Sequence, residues 1–220
     1  MKQIQIIGDS IMKGVVYDAQ RDKYSLCRDR LEVTGAQIRN LSKMGATIET
    51  GMERAIRHLP EVGPDTMVIL EFGGNDCNHR WDEVSAAPDQ EHICFVPPER
   101  FVADYRSTVQ ALQQTGTEVV ISTLPPISAP KFMAWLSRGL NYDNILHWLG
   151  DVEILSRRQK EYSDLAKQVA IETGCRILPL REAAEQLPNW RQLICGDGMH
   201  PTEEGYSSLH SFMSSWLQTA

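Results

Sequence analysis

The chain has 220 residues, 42% of them apolar and 23% charged, with no low-complexity run, which is enough for one well-buried core. Its 29 acidic against 22 basic side chains leave a net charge of −7, arguing against nucleic acid or an anionic membrane surface as the principal partner. No apolar run approaches the roughly 18 residues of a membrane span, and the first residues lack the continuous apolar core of a signal peptide.

In chain order, Gln3-Ile4-Gln5-Ile6-Ile7 alternates like a short strand and stops at Gly8-Asp9-Ser10. In a parallel sheet such a strand delivers Ser10 to the carboxyl edge, where ligands bind. A polar stretch runs to about residue 24, and a short helical segment is expected over 26–31. Residues 38–42 alternate as a second strand and lead into Met44-Gly45-Ala46. Thr47 is placed to cap a helix with Ile48, Met52, Ala55, Ile56 and Leu59 along one face. Residues 66–72 (TMVILEF) form a nearly continuous apolar run, the pattern of a central parallel strand covered on both faces, and end in Gly73-Gly74-Asn75-Asp76.

After a polar, irregular segment over 77–98 comes a helix carrying Phe101, Tyr105, Val109 and Leu112, closed by Gly116. Residues 117–123 make the fourth strand. An aromatic-rich insertion over 127–151 separates it from a long helix with Leu155, Tyr162, Leu165, Ala166 and Val169 on one side and Gly174 at its end. Residues 175–180 are the fifth strand, and Thr202 opens a last helix with the stripe Tyr206, Leu209, Met213, Trp216 and Leu217. Five strands alternating with helices, without linker or internal repeat, predict one domain over residues 1–220. Its fold class is α/β, a three-layer α/β/α sandwich around a mostly parallel five-stranded sheet.

Cys27, Cys77, Cys94, Cys175 and Cys195 are odd in number and show no CxxC spacing. They are expected to be reduced thiols of a cytoplasmic protein, not a metal set. No cofactor is expected and no histidine pair has zinc spacing.

Four strand or loop ends meet at the same sheet edge: Ser10, Gly45, Asn75 and the turn Asp197-Gly198-Met199-His200. A serine hydroxyl needs a base to take its proton and a group to hold that base in the right tautomer. Asp197 and His200, three apart in one glycine-containing turn, offer both. The Ser10 and Gly45 N–H groups and the Asn75 amide are suited to face an oxygen that becomes negative. Each residue alone is also ordinary turn chemistry, and Asp9 and Asp76 fit the role of fastening the turns that hold Ser10 and Asn75. Together, Gly8-Asp9-Ser10, Gly45, Gly73-Gly74-Asn75-Asp76 and Asp197-xx-His200 resemble, in family order and over nearly the whole chain, the four blocks of the SGNH hydrolases, the GDSL esterase/lipase superfamily. The resemblance implies a flavodoxin-like sheet and metal-independent ester hydrolysis through an acyl-enzyme, with an oxyanion hole from Ser10, Gly45 and Asn75.

Two rivals stand beside a simple esterase. One is a thioesterase or lysophospholipase on the same site, the other a flavodoxin-like module that binds a small ligand without turnover. The segments 77–98 and 127–151 both leave the carboxyl edge and are expected to shape the pocket, as fixed walls or as a lid. Trp81, Trp135 and Trp148 are the candidate substrate platforms, with polar neighbours such as His79, Arg80, Asp82, Glu83 and Asp143. This mixture points to a small-molecule ester with a short acyl group, acetyl first, on a polar alcohol such as a sugar. Neither membrane nor nucleic acid is expected as a partner, and the oligomeric state is left open.

Overall fold

A computed structural model describes residues 2–219. Strand β1 (Lys2–Gly8) runs into a single helical turn, α1 (Ser10–Lys13), and then an antiparallel hairpin of β2 (Val15–Asp18) and β3 (Lys23–Leu26). Next come β4 (Ala36–Asn40), α2 (Ile48–His58), β5 (Thr66–Glu71), α3 (Trp81–Ala86), α4 (Pro98–Gln113) and β6 (Glu118–Ser122). The second half holds α5 (Ala129–Leu136), α6 (Tyr142–Leu149), α7 (Ile154–Thr173), β7 (Arg176–Leu178), α8 (Leu180–Glu185) and α9 (Glu203–Gln218). Among the described residues no helix is long and apolar enough to cross a membrane.

The central sheet has five strands in the order β4-β1-β5-β6-β7, every neighbouring pair parallel. Its layers follow from period-two alternation. In β5 every residue is buried: Val68 and Leu70 face α2, α4 and α7, while Met67 and Ile69 face α8 and α9. Complete burial of an isoleucine or leucine contributes about 1.5–3 kcal/mol, whereas an exposed ion pair contributes about 0–1. These two apolar layers, and not the many surface ion pairs, therefore hold the sandwich. A third, smaller cluster joins α3, α5 and α6 through Val84, Phe132, Met133, Ile145 and Leu149, above the carboxyl edge. The insertion at 127–151 is thus two helices, and the segment at 77–98 contains a third.

The strand order places β4 and β5, which follow β1 in the sheet's chain order, on opposite sides of it. A crevice opens between such strands at their carboxyl ends, and the turns after β1 and β5 flank it.

The helical segment expected at 26–31 does not form. Its backbone N–H groups are used elsewhere: Cys27 N donates to Gly14 O at 2.7 Å and Arg28 N to Glu203 Oε2 at 3.0 Å. The strand expected over 175–180 is three residues long, because Leu180 already begins α8.

Thr47 occupies the cap position of α2 but makes no side-chain bond there. Asp76 does that work from the β5 side, its buried Oδ1 accepting from Ile48 N at 2.8 Å. Burial outweighs that donor, Asp9's charge adds to it, and the Asp76 carboxyl is pushed up to about 7. A raised folded-state pKa means the folded protein holds this proton more tightly than the unfolded chain does. The contribution of Asp76 to stability should therefore fall as pH climbs from about 4 to about 7, and level off above. Asp76→Asn keeps the acceptor and removes the charge. Thermal unfolding followed from about pH 4 to about pH 8 should show a shallower decline in Tm for the variant than for the wild type; parallel curves would mean that Asp76 does not titrate in this range.

Candidate active site

β1 ends at Gly8, and Asp9 caps the following turn: its Oδ1 accepts from Ile11 N at 2.8 Å. This places Ser10 at the first position of α1, where its own N–H has no helical acceptor. Asp9 is 2% exposed and also accepts at Oδ2 from Asn75 Nδ2 at 3.1 Å. Directly beneath, Glu71 at the end of β5 is fully buried and takes the Asp9 N–H at 3.4 Å. Burial and then the Asp9 charge drive the Glu71 carboxyl well above its ordinary range. Burial raises Asp9 as well, against the donors at Ile11 and Asn75. With those donors on Asp9 and none on Glu71 Oε1, the shared proton resides on Glu71 and the charge on Asp9.

The turn at 197–200 meets Ser10 from the other end of the chain. His200 Nε2 lies 2.8 Å from Ser10 Oγ, and His200 Nδ1 lies 2.5 Å from Asp197 Oδ2. Asp197 Oδ1 accepts from the N–H groups of Met199 and His200, both at 3.1 Å, so this carboxylate is held on both oxygens. The Nδ1 proton then belongs to the bond with Asp197, and Nε2 faces the serine as an acceptor. Asp197 is 0% and His200 3% exposed. The edge of the Tyr24 ring, from the β2–β3 hairpin, lies over the imidazole at 5.5 Å between centroids.

Gly198 has φ +76 and carries no side chain for a packing reason: a Cβ there would lie 2.1 Å from Phe132 N. Its carbonyl accepts from Ser128 N at 2.8 Å, so the turn is docked on the start of α5. Gly45, with φ +74, sits across the crevice, and its N–H donates to no protein group among the described residues.

The buried bonds linking Ser10, His200 and Asp197 open onto a cavity of about 210 Å³ that Gly45 and Asn75 also line. The GDSL-like lipase/acylhydrolase family model matches residues 6–207, which include all of these turns. The chain belongs to that family. It is a serine ester hydrolase of the SGNH type, and its sheet and layers are the three-layer fold expected of one. Among solved structures, a lipase/acylhydrolase from Enterococcus faecalis is similar at 18% identity and TM-score 0.67, over 100% of this chain and 96% of that one. A carbohydrate acetylesterase from Sinorhizobium meliloti has 15% identity and TM-score 0.67, over 100% and 99%. A member of the lipolytic G-D-S-L family from Veillonella parvula has 14% identity and TM-score 0.65, over 98% and 97%. At such identity these three are alike in fold. No curated protein matches the sequence significantly.

The hydrolase cavity takes in Trp81 and Trp135 but not Trp148. Trp148 stands behind the wall, its ring 4.9 Å from His79 and 6.1 Å from Trp81 between centroids, with the Arg158 guanidinium over its face. As a direct substrate platform it is corrected by this packing. Of the polar neighbours expected around the pocket, His79 lines it, whereas Arg80, Asp82, Glu83 and Asp143 are exposed at the surface. The Asn75 amide lines the cavity too, but its two protons are committed: Nδ2 donates to Asp9 Oδ2 and, at 3.0 Å, to Ala46 O.

Sequence reasoning missed Glu71, Tyr24 and Arg158. Glu71 had a legible signal, an acid following the apolar run Met67-Val68-Ile69-Leu70 at the end of a strand. Arg158 had one as well, since it falls on the apolar stripe of α7 between Leu155 and Tyr162. Tyr24 had none, because its position depends on the hairpin.

The close approach at Gly198 gives a direct test. Gly198→Ala must push the Asp197–His200 turn off α5, and kcat/KM on a simple ester should fall on the order of a hundredfold, with a lower Tm. Wild-type rates in the variant would show that the turn tolerates displacement and that docking on α5 does not set the His200 position.

Proposed function

We propose that the enzyme hydrolyses esters of short acyl groups, acetyl foremost, on a polar alcohol such as a sugar, through an acyl-enzyme on Ser10. The observation carrying this reading is the pair of bonds from Ser10 Oγ to His200 Nε2 and from His200 Nδ1 to Asp197 Oδ2, opening on a cavity of limited size. Ser10 Oγ forms a bond to the ester carbonyl carbon while Nε2 takes the hydroxyl proton. Asp197 holds the ring tautomer and faces the imidazolium that results. Charge gathering on the carbonyl oxygen meets the N–H groups of Ser10 and Gly45, and Asn75 Nδ2 joins them by sharing a proton from its bonds to Asp9 and Ala46. As the carbon–alkoxide bond breaks, His200 protonates the departing alcohol. A water deprotonated by His200 then releases the acid and restores Ser10.

The cavity wall supports the substrate reading. The wall carries the rings of Trp81, Phe132 and Trp135 and the aliphatic side chains of Leu124, Ile127 and Leu155, with the polar groups of Asn78, His79 and Arg158 among them, so it offers polar contacts to an alcohol part within a mainly apolar lining. The fold shared with a carbohydrate acetylesterase agrees with it. Residues 1–220 act in this reading as one domain. All five cysteines are unpaired, which favours a reducing, cytoplasmic site of action.

A p-nitrophenyl ester series from acetate to decanoate, with acetylated sugars alongside, tests the substrate. The highest kcat/KM should fall at acetate, with acetate released from the sugars; a maximum at octanoate or decanoate with no such release would overturn the short-acyl reading. A fluorophosphonate probe should label Ser10, mapped by mass spectrometry. Ser10→Ala should lose labelling and lower kcat by about a thousandfold or more, and near-normal turnover by that variant would end the serine mechanism.

A further inference from the structure

Helix α7 turns Leu155, Tyr162, Ala166 and Val169 toward the protein interior. Arg158 lies three residues after Leu155 and four before Tyr162, so helical spacing carries a cation to the same face. It becomes part of the wall of the cavity that holds Ser10 and His200. Its guanidinium carbon is 4.7 Å from the centroid of the Trp148 ring, and its Nη1 lies 3.4 Å from His79 Nε2. A guanidinium only donates, so Nε2 accepts and the imidazole proton sits on Nδ1. His79 is 6% exposed and that Nδ1 has no protein partner. Burial, and then the Arg158 charge, push His79 down to about 4, so it stays neutral beside the arginine.

Arg158 has no carboxylate partner among the described residues. Its neighbour Arg157 pairs with Asp151, and Arg181, one helix away, pairs with Glu185. Glu161 acts on Arg158 only through its field, and burial pulls the guanidinium below its usual range. A half-buried charge without a counter-ion is held at a cost in stability, and here the rest of the site is built to hold it. Trp148 fixes the plane of the fork and His79 occupies one of its five N–H donors. The remaining donors match the two oxygens of a planar oxyanion.

We propose that Arg158, seated on Trp148 and bonded to His79, anchors a carboxylate on the substrate. The natural substrate is then an ester carrying an acid group away from the bond that is cleaved. This rests on the reading of Ser10 as nucleophile and adds the chemical class of the part that does not react. It also gives Trp148 its place: the ring supports the anchor and does not touch the ester.

The test compares charged and neutral partners. On the alcohol side these are 4-acetoxybenzoate and its methyl ester; on the acyl side, p-nitrophenyl hemiglutarate and p-nitrophenyl valerate. For at least one pair the wild type should favour the anion by on the order of tenfold in kcat/KM, mainly through KM, and the favoured pair tells which half of the substrate carries the acid. Arg158→Met should bring that ratio to about one or below, and Arg158→Lys should restore part of it. No preference in either pair, or a ratio unchanged in Arg158→Met of normal Tm, overturns the proposal. If Arg158→Met does not fold, the lysine variant decides: it keeps a charge but not the fork, and an unchanged ratio there also overturns it.

Binding is read separately by tryptophan fluorescence on Ser10→Ala, titrated with 4-acetoxybenzoate and with glutarate. Saturable binding of an anion, weakened about tenfold by adding Arg158→Met, supports the anchor. If that binding is intact while no ester is turned over, the hydrolytic reading fails and the anchor stands. If all four esters are turned over without regard to charge, the anchor fails and the hydrolytic reading stands.

Discussion

The Asp9 carboxylate is the point at which the sheet and the site are joined. One oxygen closes the turn that presents Ser10, and the other takes a proton from Asn75 on the neighbouring loop. Its main-chain N–H reaches down to Glu71 at the end of β5. The turn after β1 and the turn after β5 are therefore cross-linked by one buried side chain at the crevice where the sheet's order reverses. Asn75 extends the link to Ala46, beside Gly45, so three of the four loops at the edge share one hydrogen-bond network. The fourth, carrying Asp197 and His200, is seated on α5 through Gly198 and meets the others at Ser10 through His200 Nε2. A network of this kind is rigid because every partner it could lose would leave a buried polar group unsatisfied.

That rigidity is bought with acids. Asp9, Glu71 and Asp76 lie within one buried region, and burial raises all three carboxyls. Below about pH 7 the region therefore keeps protons on Glu71 and Asp76 and leaves one charge, on Asp9, where donors converge. The loss in stability is confined to the pH range where those protons come off. The gain is that Ser10 and Asn75 cannot drift relative to one another, which ester chemistry needs more than it needs stability.

Much of this was legible in the residues themselves. The continuous apolar run at 66–72 could only be a strand covered on both sides, and the glycine-bearing turns after residues 7 and 72 put Ser10 and Asn75 at one edge. The nearness of Ser10 to His200, 190 residues apart, followed from the strand order more than from any local signal. What was not legible depends on partners distant in sequence. Residues 26–31 have the composition of a helical turn, yet Glu203 claims the Arg28 N–H, and no local propensity records that competition. Thr47 has the right side chain for a cap, and Asp76 pre-empts it. Trp148 looked like an open ring because its occupant, Arg158, lies on a helix that reads as purely structural. An arginine on an apolar stripe was the trace that such an arrangement leaves in a sequence.

The chemistry and the selectivity of the site stand on different supports. Ser10, Gly45 and Asn75 sit on short connections that leave strands of the sheet, whereas the 197–200 turn lies between α8 and α9 and bonds to the start of α5. The wall facing them is built from Trp81 of α3, Phe132 and Trp135 of α5 and the first turns of α7, with α6 packed behind it. Phe132, Ile145, Leu149 and Leu155 form an apolar cluster separate from the two that flank the sheet. Under the proposed mechanism, a change of side chain in the wall alters the space in front of Ser10 and leaves the bonds among Ser10, His200 and Asp197 to their own turns. The exception is the start of α5: Phe132 both lines the cavity and bounds the space into which the Asp197–His200 turn fits. At that one place the lining of the cavity and the seat of the Asp197–His200 turn belong to one residue, the cavity through its ring and the turn through its main chain.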